Sequence, residues 1–215
     1  MTDESAPPLM TAEDMVARLM FHVKHSALAD LETFRQRLAE QNEVMNLVGP
    51  ATLPHFWSRH VLDSAQLLDC RPDAMTWADL GAGAGFPGIV LAILLKDVAG
   101  AHVYLIDSLA KRCRFLQSLV DDLKLPATVI NDRAESLDLT VDVVTARAFA
   151  PFSRLFTFAH KFFRNGADGW FLKGESVDKE LEEAGQNWRF EVEIKPSLSD
   201  SRGRVVHVRR LWRGR

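Results

Sequence analysis

Cysteine is scarce in this chain. Cys70 and Cys113 are its only two, among 215 residues. They have neither a metal-ligand spacing nor a pairing pattern, which argues against a metal centre and a disulfide framework. They read as reduced thiols of a cytoplasmic protein. Long apolar runs are also missing: none approaches the roughly 20 residues of a membrane span. The start, Met1-Thr2-Asp3-Glu4, is acidic and has no apolar core, so a signal peptide is not expected. Positive charge is not in excess, with 26 Lys and Arg against 29 Asp and Glu and a net charge of −3. The overall balance therefore gives no sign of a nucleic-acid partner. There is no internal repeat and no low-complexity tract. No Ser/His/Asp or Cys/His arrangement for nucleophilic catalysis stands out.

What is present is an ordinary globular composition, 47% hydrophobic and 26% charged, long enough for one α/β domain with an appendage. The chain is organised around Trp77-Ala78-Asp79-Leu80-Gly81-Ala82-Gly83-Ala84-Gly85-Phe86-Pro87-Gly88. A short apolar strand, spaced glycines and an apolar helix (Ile89 to Leu95) follow one another here. That order brings backbone close to a nucleotide-like ligand. Read from Gly83, the loop is a dinucleotide fingerprint, Gly83-x-Gly85-x-x-Gly88, with Asp107 at about the expected distance downstream. Read from Asp79, it is Asp-x-Gly-x-Gly-x-Gly, a loop for S-adenosylmethionine (SAM). Under either reading Asp107 would accept from ribose hydroxyls.

The order of elements weighs between the two. After an N-terminal end with Pro7 and Pro8, the pattern from Thr11 to Leu68 is helical, with Thr11 and Asp14 resembling a capping box. Gly49-Pro50 breaks it, and a helix from His55 to Leu68 is expected. This makes a helical cap over 1–72 and leaves 73–215 for the catalytic domain. Further strands are expected at Val103–Asp107, Ala127–Asn131, Val141–Ala146 and Gly169–Leu172, with helices at Leu109–Leu123, Phe152–Phe163 and Ser176–Asn187. The alternating runs Phe190–Ile194 and Val205–Leu211 read as a final antiparallel pair. The fold class is α/β: a Rossmann-like, mostly parallel seven-stranded sheet with an antiparallel C-terminal edge. No residues remain for the substrate domain of a dehydrogenase, so a SAM-dependent methyltransferase is favoured over an NAD(P)-binding protein.

At this point the letters resemble the family of small-subunit (16S) ribosomal RNA methyltransferase G, also known as glucose-inhibited division protein B. The resemblance rests on the glycine loop with Phe86-Pro87-Gly88, Asn46-Leu47, His60-Val61-Leu62-Asp63-Ser64, and Asp107-Ser108-x-x-Lys111-Arg112-x-x-Phe115-Leu116. It continues through Arg133-Ala134-Glu135, Arg147-Ala148-Phe149-Ala150 and Leu172-Lys173-Gly174. Two positions depart from the family pattern: Gln41 stands where a tryptophan is usual, and Ala146 where a serine is usual. The resemblance implies methylation of guanosine N7 in the 530 loop of 16S rRNA, with SAM as cofactor and 16S rRNA or the small subunit as partner. A cytoplasmic monomer is expected.

Cofactor contacts are expected at Gly81, Gly83, Gly85, Phe86, Asp107, Ser108, Ala134, Glu135 and Arg147, and the resemblance itself places those at Gly81, Phe86, Ala134 and Glu135. Several have a plainer role available: Phe86 as core, Asp107 as the cap of the helix after it, Glu135 as a solvated loop acid. Arg147 ends the fourth strand, where open α/β sheets bind ligands. It could meet the SAM carboxylate, a substrate phosphate or the target base. Phe149 or Phe152 could stack on a flipped guanine. RNA contacts are expected among Arg112, Lys173, Arg202, Arg204, Arg209 and Arg210. The last four belong to an acid-free arginine-rich end that also holds Arg213 and Arg215. His60 and Asp63, one helical turn apart, read as organisers of the cap. No metal is implied. No general base is expected, because N7 carries a lone pair; Arg147 is the candidate positioning group.

Overall fold

The computed structural model describes residues 25–214. The expected loose end, the Thr11–Asp14 capping box, the helical positions Met15 to Val23 and Arg215 lie outside these residues.

Among the described residues helix α1 (His25–Met45) comes first. The expected single helix from His55 is instead three pieces: a 3₁₀ turn (Pro50–His55), a wide π turn (Phe56–Val61) and α2 (Leu62–Cys70). Then follow β1 (Thr76–Leu80), α3 (Gly88–Leu94), β2 (His102–Ile106), α4 (Ala110–Leu123), β3 (Ala127–Ile130) and β4 (Val143–Arg147). The chain continues with α5 (Phe152–Arg164), β5 (Asp168–Lys173), α6 (Val177–Gly185), β6 (Trp188–Pro196) and β7 (Arg204–Arg213). All seven strands join one sheet in the order β3-β2-β1-β4-β5-β7-β6. The pairs among β1 to β5 are parallel, and β7 runs antiparallel to both β5 and β6.

Each face of the sheet carries its own core. Strand side chains alternate between faces, so Trp77 of β1 packs with α1, α3 and α4, while Ala78 and Leu80 pack with α5. Helix α4 buries Cys113, Phe115, Leu116, Leu119, Val120 and Leu123 at three- and four-residue spacing. Leu31, Phe34 and Leu38 of α1 and Phe56, Val61 and Leu67 of the next segment share the first core with Trp77, Val103 and Leu105. The segment before β1 is thus packed into the same core as the sheet.

The sheet order reverses between β1 and its neighbours β2 and β4, and a crevice opens at the carboxyl ends of the strands there. The β6–β7 loop reaches the same end, since Arg204 pairs with both Lys173 and Pro196.

Candidate functional site

A cleft of about 940 Å³ lies at this switch point. Its walls include Gly81, Gly83 and Phe86 of the glycine loop, Arg112, Arg147, Phe149 and Lys173, together with His60 and Asp63 before β1 and Arg202 after β6.

The glycine loop is fastened to the end of β2. The Gly81 and Ala82 N–H groups donate to the Ile106 carbonyl at 2.8 and 3.0 Å. Asp107, 4% exposed, accepts from the Gly83 N–H at 3.0 Å with one oxygen and from the Leu109 N–H at 2.8 Å with the other. It therefore both braces the loop and closes the turn that leads into α4. The Asp107 carbonyl accepts from Asn131 Nδ2 at 3.0 Å and from Cys113 Sγ at 3.1 Å. Arg112 stands 3.6 Å from the Asp107 carboxylate.

Asp79 lies below the loop, fully buried, and accepts from the Gly88 N–H at 2.8 Å. Among the described residues its Oδ1 has no hydrogen-bond partner. Burial pushes its carboxyl up to about 7, against the Gly88 N–H and the charge of Arg147, with Asp107 adding to the rise. Glycine is required at position 88 for space: a Cβ there would stand 2.2 Å from Leu105 Cδ2 and 2.7 Å from Asp79 Oδ2. At Gly81 the need is doubled. Its φ is +69°, and a Cβ would lie 2.1 Å from the Phe149 ring.

Across the cleft, Arg147 is held by residues that precede β1. One guanidinium nitrogen donates to the Arg59 carbonyl at 3.1 Å and to Asp63 Oδ2 at 3.3 Å, and the other contacts His60 Nδ1. His60 stacks on Phe86 with ring centres 4.5 Å apart, and the Arg147 guanidinium lies 5.0 Å from the same Phe86 ring. Burial, then the charges of Arg147 and Arg59, push His60 down to about 3, so its ring is neutral. Burial also lowers Arg147 from its ordinary value, Arg59 adding to the fall and Asp63 and Asp79 opposing it; at physiological pH it remains a cation.

The other oxygen of Asp63 accepts from Ser197 Oγ at 3.0 Å and Ser199 Oγ at 2.8 Å, tying the β6–β7 loop to α2. Asp200 of that loop faces Arg59 at 3.4 Å and Arg202 at 3.8 Å.

The structure divides the residues expected from sequence. Gly81, Gly83, Phe86, Arg112, Arg147, Lys173 and Arg202 line the cleft. Phe86 is also core, 5% exposed against Phe34 and Phe56. Gly85, Asp107, Ser108, Ala134 and Glu135 stand outside that wall; Ala134 is buried, and Glu135 accepts from Arg133 Nε at 2.7 Å. Of the two phenylalanines, Phe149 is 37% exposed in the cleft, whereas Phe152 is 0% exposed against Phe156 and Phe171. Lys173 is a fixed cation: it donates to Glu180 at 2.6 Å and to the Ala150 carbonyl at 2.7 Å.

The arginine-rich end does not act as one patch. Arg202 reaches the cleft mouth, and Arg204, at the start of β7, donates to the Ser201 and Gly203 carbonyls. Strand β7 then runs antiparallel to β5, away from the cleft. This carries Arg209 and Arg210 toward the opposite end, where both face Glu191. Their displacement is about 20 Å along the strand.

Sequence reasoning did not place Arg59, His60, Asp63, Thr52 or Asp200 at the site. For two of them a signal existed: His60 and Asp63 stand in one of the segments that carried the family resemblance.

Comparison with known proteins shows the family and the fold. The family described as rRNA small subunit methyltransferase G matches residues 27–207. Ribosomal RNA small subunit methyltransferase G of Caulobacter vibrioides is 58% identical over 188 residues, covering 87% of each chain. The protein of the same name from Rhodopseudomonas palustris is 41% identical over 206 residues, covering 94% of this chain and 88% of its own. Among solved structures, a SAM-dependent methyltransferase from Aquifex aeolicus aligns with a TM-score of 0.55 at 20% identity, covering 78% of this chain and 97% of its own. The SAH-bound methyltransferase PaMTH1 of Podospora anserina aligns with a TM-score of 0.58 at 12% identity, covering 97% and 99%. These two share the fold.

Proposed function

The chain belongs to the rRNA small subunit methyltransferase G family, and from that premise we propose that it methylates N7 of a guanosine in the 530 loop of 16S rRNA. It is a SAM-dependent methyltransferase. We further take it to act as a cytoplasmic monomer on rRNA. Among the described residues, no helix is long and apolar enough to cross a membrane.

One observation carries the reading: a glycine loop braced by Asp107 faces the guanidinium of Arg147 across a single cleft. The residues fit the cofactor. A cleft of about 940 Å³ is in the size range of small-molecule sites. Gly81 and Gly83 present backbone without side chains to it. Asp107 uses one lone pair on each oxygen for the Gly83 and Leu109 N–H groups, and a carboxylate has capacity for more. It stands behind the cleft wall, next to Gly83, and on this reading its remaining lone pairs meet the ribose hydroxyls. Arg147 is suited to the amino-acid carboxylate, the strongest partner for a guanidinium.

When bound, the cofactor supplies a methyl group on a positively charged sulfur. Guanine N7 offers an in-plane lone pair and would lose no proton before accepting that methyl, the sulfur keeping the S–CH3 electron pair as neutral S-adenosylhomocysteine. The side chains at the cleft therefore need to bind, align and exclude water. Alignment of this kind contributes roughly 7–11 kcal/mol. His60 does not serve as a base: its Nδ1 already accepts from Arg147. Phe149, exposed beside Gly81, is placed to stack on the entering base. Arg112 and Arg202 at the walls are suited to RNA phosphates.

The test is to incubate the purified protein with methyl-labelled SAM and small ribosomal subunits from a strain lacking this gene. Label is then mapped in 16S rRNA by N7-specific chain cleavage. Label at one guanine of the 530 loop is expected. Label elsewhere, or none with SAM bound, overturns the proposed acceptor.

A further inference from the structure

We propose that His60 is a positioning residue for methyl transfer, its ring accepting a hydrogen bond from Arg147 and so setting where that guanidinium meets the cofactor. The inference rests on the reading of Arg147 as a cofactor contact.

The direction of the hydrogen bonds follows from the groups themselves. A guanidinium has only donors. The ring nitrogen that faces Arg147, Nδ1, must therefore be the bare acceptor. The ring proton is then on Nε2, which donates to Thr52 Oγ1 at 3.0 Å. That hydroxyl donates in turn to the Gly49 carbonyl at 2.8 Å. The chain Arg147 to His60 to Thr52 to Gly49 runs in one sense, and it fixes a single tautomer.

The ring is fixed in its plane as well. It stacks on Phe86 at an interplanar angle of 17°, and Phe86 is held by Phe34 and Phe56. Protonation would turn Nδ1 into a donor facing a cation. The burial and the two arginines that push His60 down to about 3 keep this from happening at physiological pH. Among the described residues, every side-chain or carbonyl acceptor of Arg147 comes from Arg59, His60 or Asp63, all before β1. The helical segment thus contributes to the chemistry of a site whose loop and arginine belong to the sheet.

Three substitutions separate positioning from packing. H60N puts an amide oxygen near the place of Nδ1 and loses the stack. H60Q puts its polar end near the place of Nε2 and leaves Arg147 without this acceptor. H60F keeps the stack and loses both polar contacts. SAM affinity is measured by calorimetry and KM and kcat by methyl transfer, with R147M as the reference.

A positioning role predicts that H60F and H60Q weaken SAM binding about tenfold, as expected when a charged donor loses its acceptor. KM for SAM should rise more than kcat falls, and H60N should stay within about threefold of the parent. A packing role predicts the reverse order, with H60F nearest the parent. That order, or equal affinity in H60N and H60Q, overturns the proposal. H60N and H60Q both lack the stack, so this pair decides even if H60F does not fold. If R147M binds SAM normally, the reading of Arg147 fails; if R147M is impaired while the His60 series shows no acceptor effect, only the inference on His60 fails.

Discussion

The two sides of the cleft are held by different means. The glycine side is a local assembly: Asp79 meets Gly88 nine residues on, and Asp107 meets Gly83 across 24. One strand–loop–helix–strand unit closes all of these contacts. The arginine side is built across the chain. Arg147 meets Arg59, His60 and Asp63 at separations of 88, 87 and 84 residues, and Asp63 meets Ser199 at 136. The first side can form as soon as its unit folds. The second requires β4, the segment before β1 and the β6–β7 loop to be in place together, so on the proposed reading cofactor binding on this side is tied to completion of the fold.

The largest expected effect lies on the glycine side. D107A removes the acceptor for both Gly83 and Leu109 and, on the proposed reading, the ribose contact. SAM affinity should fall at least a hundredfold by calorimetry, with a loss of about 1–3 kcal/mol in unfolding free energy and the fold retained by circular dichroism. A SAM affinity within a few fold of the parent would remove Asp107 from the site.

Next in size is a contrast in pH. Asp79 has a folded pKa raised to about 7 from 3.8. The native state then binds more protons than the unfolded one between these values. Its contribution is fully present below about 4 and is lost as pH rises to about 7. His60 has a folded pKa lowered to about 3 from 6.5. Its contribution is present above 6.5 and is lost as pH falls toward 3. Thermal midpoints measured from pH 4 to 8 should show D79N gaining on the parent as pH rises, and H60N gaining on the parent as pH falls. Parallel curves for parent and variants would contradict these shifts.

The smallest effect concerns the cleft mouth. Asp200 neutralises Arg59 and Arg202, which are 47% and 67% exposed. Exposed pairs of this kind are weak, and a phosphate can replace the carboxylate. D200N keeps an oxygen for the Arg202 N–H that Asp200 now binds at 2.9 Å and removes the charge. Filter binding of an rRNA fragment should tighten two- to threefold with a steeper salt dependence. Unchanged or weaker binding would separate these arginines from RNA.

The difference between the sides also explains what could be read in advance. The glycine loop, Asp107 and the strand order follow from apolar periods, spaced glycines and a spaced acid, all of which act within one unit. The expected helix from His55 did not hold as one piece, because Phe56 to Val61 takes a wide turn as Phe56, His60 and Val61 go into the core. Helical periodicity registers an apolar face, not the partner that sets its pitch. The arginine-rich end looked uniform along the chain, yet the direction of β7 sends Arg202 to the cleft and Arg210 to Glu191. The contact between His60 and Arg147 had no local trace; the match to the family marked the segment around His60 but not its partner.

The most direct measurement is a double cycle on the cofactor carboxylate. SAM and its decarboxylated analogue are titrated by calorimetry into the parent protein and into R147M. If Arg147 holds the carboxylate, the analogue and the substitution should each weaken binding, and together cost little more than either alone. Fully additive losses, or normal SAM binding by R147M, would contradict the assignment and leave Arg147 as an anchor between the sheet and the helical segment.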